Sequence, residues 1–181
     1  MKPLICATIL ICILSSFSPR LLFKKDEPDV ELAYRIREQL AQKLSKKYHM
    51  TTIGEVIAIP DHVLNLLGLR FQIQGPLTKD ELRNILVDCV EELLCAVNSN
   101  KEIRPYLKNY PFTPQNIDIA LFIDGLDGRD VSSPNIGIAA ASGNKLFFYT
   151  KKPSEEYRYI TEEETYEDAL KSLGSKSNCL R

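Results

Sequence analysis

The sequence predicts an α+β domain of two layers, with a mainly antiparallel sheet of about four strands and helices packed on one face. Two long stretches carry apolar residues at three- and four-residue steps. Several shorter ones alternate at period two, and a turn signal joins two of these into a hairpin. No internal repeat or interior linker divides the chain. Residues 26–174 therefore read as one domain, behind an N-terminal segment at 1–25 and ahead of a disordered tail at 175–181.

The first helix spans Asp29 to Tyr48. Val30, Ala33, Ile36, Leu40 and Leu44 form its apolar stripe, Arg35, Arg37, Glu38, Gln42 and Lys43 lie opposite, and Pro28 suits its first turn. Met50–Gly54 ends it, and Glu55–Pro60 is apolar without a clear period. Between Val63 and Gln74 the period is two: Leu67, Leu69, Phe71 and Ile73 share one face, with Arg70, Gln72 and Gln74 on the other. Gly75-Pro76 stops this strand, and Thr78-Lys79-Asp80-Glu81 spells a capping box for a helix reaching Val97.

After a helical turn within 101–110, Asn116–Ile123 alternates again, setting Ile117, Ile119, Leu121 and Ile123 against Asp118, Ala120 and Phe122. Residues 124–134 form a polar loop. Asn135–Ala141 and Lys145–Thr150 are hairpin strands joined through Ser142-Gly143-Asn144. Glu156–Ile160 is a candidate further strand. Thr161-Glu162-Glu163-Glu164 spells a second capping box, for a last helix that Gly174 closes.

Met1-Lys2, the apolar run Pro3–Leu14 and the small-residue exit around Ser15–Ser18 have the layout of a secretory signal. A spanning helix needs about 20 apolar residues, a length reached here only through Pro19 and Arg20. The expected location is thus exported: periplasmic, secreted or membrane-anchored, depending on whether 1–25 is cleaved or kept as an anchor. Cys6 and Cys12 read as apolar filler in that segment rather than lipidation sites.

Residues 1–25 hold Lys2, Arg20, Lys24 and Lys25 and no acid. The remainder sets 19 bases against 24 acids, a formal charge of −5. Without a basic stripe this surface is a poor partner for nucleic acid. Of Cys89, Cys95 and Cys179, the first lies on the apolar stripe of the second helix, where a buried thiol is inert. A Cys95–Cys179 bridge would tie down the tail.

Catalytic signatures are missing: there is no His-Glu-x-x-His, Gly-x-Ser-x-Gly, Cys-x-x-Cys or glycine-rich phosphate loop. His49 and His62 read as capping or surface residues. The sharpest local pattern is Asp124-Gly125-Leu126-Asp127-Gly128-Arg129-Asp130. Its three carboxylates, Asp124, Asp127 and Asp130, suit calcium by type, but their spacing departs from an EF-hand loop and the Asp-Gly pairs equally supply turn geometry. Aromatics gather later, with Phe147 and Tyr149 on one strand face, opposite Phe148, and Tyr157 and Tyr159 beyond.

These features predict a small binding domain without enzymatic activity, recognising an envelope or extracellular macromolecule. Phe147, Tyr149, Tyr157, Tyr159 and Arg129 are its candidate contacts. The alternatives are a metal-dependent or hydrolytic enzyme joining the Asp124–Asp130 loop to His62, and a structural assembly factor of an envelope complex. The band Glu155, Glu156, Glu162, Glu163, Glu164, Glu167 and Asp168 reads as a solvated surface.

Overall fold

The computed structural model describes residues 28–174. The expected signal or anchor and the expected disordered tail lie outside the described residues, as does Cys179. Cys95 is disulfide-bonded and Cys89 is a free, buried thiol. Among the described residues no helix is long and apolar enough to cross a membrane.

The class is α+β, with three α-helices and six strands among the described residues: α1 (Pro28–Tyr48), β1 (Thr51–Ala58), β2 (Leu66–Gln74), α2 (Lys79–Ser99), β3 (Ile117–Asp124), β4 (Ile138–Ser142), β5 (Lys145–Thr150), β6 (Tyr159–Thr165) and α3 (Tyr166–Ser172). The strands form one sheet in the order β1-β2-β3-β4-β5-β6. One expectation is corrected, since the sheet has six strands rather than about four; it is mainly antiparallel, as expected, but mixed. β2 and β3 run parallel because α2 carries the chain back across the sheet between them, whereas every other neighbouring pair is antiparallel.

The core lies between the helices and one sheet face. Leu67, Leu69 and Phe71 of β2, Ile119 and Leu121 of β3, and Leu146 and Phe148 of β5 are fully buried against α1 and α2, which contribute Leu40, Leu44, Leu82, Leu86, Cys89 and Leu93. Gly68 of β2 is required by close approach. A Cβ there would sit 1.8 Å from the Asp118 carbonyl oxygen on β3. The capping box opens α2 as its spelling predicts, with Thr78 N donating to Glu81 Oε2 at 2.8 Å and Glu81 N to Thr78 Oγ1 at 3.3 Å. At its other end buried Asn98 pins the loop leading to β3: its Nδ2 donates to the Phe112 carbonyl and its Oδ1 accepts from the Phe112 amide.

β1 shows no alternation to read, because none of its side chains is fully buried. The second capping box is overturned. Thr161–Glu164 belongs to β6, where Thr161 Oγ1 donates to the Phe148 carbonyl at 3.0 Å. The cap passes to Thr165, which opens the shorter α3 by accepting from the Asp168 amide at 3.1 Å. The acids alternate across this strand. Glu162 pairs with Lys79 and Glu164 with Arg83 on the helix side, while Glu163 pairs with Lys145 on the other. The acidic band stays exposed at Glu162 and Glu163, as expected, while Glu164 is shielded and all three positions also help attach the edge strand. Gly143 and Asn144 both have positive φ, as the tight turn between β4 and β5 demands.

Candidate functional site

Among the described residues, the helices cover one face of the sheet and leave the other open. Because strand side chains alternate, the residues opposite the core form a second surface, and the register aligns them in rows. Phe122, Ile138, Tyr149 and Ile160 make an apolar row across β3–β6. Ala120, Ala140, Phe147 and Glu163 make the next, and Asp118, Ser142, Lys145 and Thr165 a third, polar one. Alanines at 120 and 140 leave room beside the larger rings. Phe147 and Tyr149 lie 6.4 Å apart between centroids, tilted by 42°. In the β2 direction the surface turns polar: Arg70 Nη1 donates to Asp118 Oδ1 at 2.6 Å and to its carbonyl at 3.1 Å, and Gln72 donates to Asp124.

Of the five contacts expected from sequence, Phe147 and Tyr149 lie on this open face. Tyr159 pairs with Thr150 across the β5–β6 ladder, with the Lys152 ammonium 5.7 Å from its ring centroid. Tyr157, 78 % exposed, stands in the loop before β6. Arg129 is exposed in the 124–130 loop. Phe122, Ile138 and Ile160 join Phe147 and Tyr149 on the open face. Their signal is register across strands, and alternation within one strand does not disclose it.

The loop after β3 closes on itself. Asp124 and Asp130 form a backbone bridge, Gly125 N donates to the Arg129 carbonyl and Gly128 takes a positive φ of 74°. Each carboxylate has its own partner: Asp124 accepts from Gln72, Asp127 from the Arg129 amide, and Asp130 from Lys151 at 3.1 Å and Arg158 at 2.8 Å. The Lys151 contact, with Arg158 beside it, holds the Asp130 carboxyl below its ordinary value. Among the described residues no three acid, histidine or cysteine side chains are disposed to hold a metal ion.

His62 does not meet this loop. It precedes β2, whereas Asp124 ends β3 beside the last residue of that strand, so they lie at opposite ends of a nine-residue strand. That is about 26 Å. His62 Nδ1 instead faces the buried carboxylate of Asp29 at 3.3 Å, tying the segment before β2 to the start of α1. Burial pushes the Cys89 thiol well up, so that it is no nucleophile at neutral pH.

No known family, curated protein or solved structure matches this chain.

Proposed function

We propose that this is a binding domain without enzymatic activity, which receives a protein partner of the cell envelope or extracellular space across the open sheet face. The observation that supports it most is the apolar row Phe122, Ile138, Tyr149 and Ile160, beside Phe147, on a face that none of the described helices covers. Half-buried aromatics rimmed by ion pairs are the composition of a recognition surface. The 124–134 loop joins the strands that carry Phe122 and Ile138 and is the second candidate contact, and the N-terminal segment would deliver or tether the domain outside the cytoplasm. The separation of His62 from the acidic loop weighs against the hydrolytic alternative.

A photo-crosslinking residue placed at Tyr149 in the native cell tests this reading. A discrete protein adduct is expected there, absent from the same probe at Gln42 on α1 and lost when Phe147 is changed to Asp. Equal labelling from both faces, or none from Tyr149, would remove the proposal.

A further inference from the structure

We propose that the free edge of β1 receives a second copy of this chain, its own β1 laid antiparallel across a two-fold axis so that two sheets become one. Among the described residues β1 pairs with β2 alone, so the backbone groups on its outer side meet no strand. An edge of that kind is a template for another strand unless the chain blunts it. β6, at the opposite edge, carries the successive acids Glu162, Glu163 and Glu164. β1 reads Thr51-Thr52-Ile53-Gly54-Glu55-Val56-Ile57-Ala58, rich in strand formers, with one charge and neither proline nor lysine. Its single irregularity is the extra residue Ile53, which stands 49 % exposed at the middle of the edge.

The flank of α1 beside this edge selects a second copy rather than an unrelated strand. Ser45 Oγ lies 3.1 Å from Thr52 Oγ1, and Arg37 pairs with Glu55, so α1 runs alongside β1. Between helix and strand lies a crevice of about 560 Å³, whose walls include Glu38, Gln42 and Lys46 with Thr52 and Glu55. Glu38 and Lys46 are both exposed, and neither forms an ion pair with another described residue. On the α2 side, by contrast, Lys43 and Lys47 are paired with Glu92 and Asp88. The two unpaired charges stand one on each side of Gln42, at equal spacing in the chain. An axis through Gln42 therefore sets Glu38 against the partner's Lys46 and Lys46 against the partner's Glu38, which makes the flank complementary to itself. The ties at Ser45 and Arg37 bracket Gln42, so the same axis crosses β1 between Thr52 and Glu55. Glu55 then falls opposite the uncharged start of the partner strand and not opposite its own copy. Neighbouring strands are about 4.8 Å apart and α1 packs on both β1 and β2, which brings the two α1 helices within about 10 to 14 Å. Glutamate and lysine side chains bridge such a gap. The axis stands perpendicular to the sheet, so both open faces point the same way.

The test is sedimentation equilibrium of the protein as its cell processes it, in the parent and in Glu38→Lys, Lys46→Glu, the double variant and Ile53→Lys. A concentration-dependent dimer is expected in the parent. Either charge reversal alone sets like charges together at both ends of the flank and should weaken the dimer about tenfold. The double variant remakes the pairs and should return to within about threefold of the parent. Ile53→Lys, with an unchanged melting curve, should leave a monomer. A parent that stays monomeric up to about 200 µM would overturn the proposal. So would a dimer that neither reversal weakens, that the double variant fails to restore, or that Ile53→Lys leaves intact.

Discussion

At the centre of the sheet, β2 and β3 run side by side with Leu67, Leu69, Phe71, Ile119 and Leu121 wholly buried beneath α1 and α2. At the far edge, β6 buries no side chain and is joined to the rest by backbone pairing with β5 and by the pairs Glu162–Lys79, Glu163–Lys145 and Glu164–Arg83. The centre is held by removal of apolar surface from water, which salt does not screen. The edge relies on charges, which solvent screens unless they are buried. Among the three pairs only Glu164–Arg83 is well shielded, its side chains 15 % and 11 % exposed and joined through two nitrogen–oxygen contacts of 2.7 and 3.0 Å. One domain thus joins an apolar centre to an edge held by backbone pairing and, among its ion pairs, chiefly by one guanidinium.

The sharpest way to break this contrast is at the centre. Gly68→Val should cost about 4 kcal/mol or prevent folding, because the new side chain meets backbone rather than a side chain that can move. The urea midpoint measures it. A loss near zero would show that the β2–β3 approach is looser than drawn.

At the edge, Arg83→Met should cost about 2 kcal/mol by leaving Glu164 half-buried without its partner, and adding Glu164→Gln should restore part of that loss. The same variants, followed by hydrogen exchange, should expose β6 amides before those of β3. Protection lost equally in both strands would merge the two regions into one cooperative unit.

On the open face, changing Phe147 and Tyr149 together to Ser should move stability by only about 1 kcal/mol while abolishing the expected partner adduct, since both rings are half-exposed. A collapse in stability would mean that they serve the fold rather than recognition.

The smallest effect is one of pH. Asp130 titrates below its ordinary value in the folded domain, so its ties to Lys151 and Arg158 are complete above the ordinary carboxylate range and fade as pH falls through the lowered value. Amide shifts of the 124–130 loop should follow that titration while β2 stays unmoved. A loop that ignored the change would place its order in the backbone bridge alone.

Helices α1 and α2 were legible because each needs only a local stripe and, for α2, a local cap. The spelling Thr78–Glu81 is satisfied within one turn of its own chain. The same spelling at Thr161–Glu164 misled because acids at alternate positions serve a strand equally well when cations wait on both sides. Those cations, Lys79, Arg83 and Lys145, come from elements distant in the chain. β1 escaped notice because an edge strand with no buried residue has no alternation to display. Of the candidate surface, Phe147 and Tyr149 were visible as an alternating pair, whereas the row they share with Phe122, Ile138 and Ile160 exists only once the register is set.

By itself, then, the sequence determined the α+β class, the two long helices, the half-buried strands at β2 and β3 and the tight turn before β5, all of which depend on neighbours within a few residues. Tertiary structure alone decided that β2 and β3 are parallel, that an acidic segment is the sixth strand, and that His62 stands a strand's length from the acidic loop. Each of these depends on which distant segments meet, and a linear pattern of residue types carries no record of that.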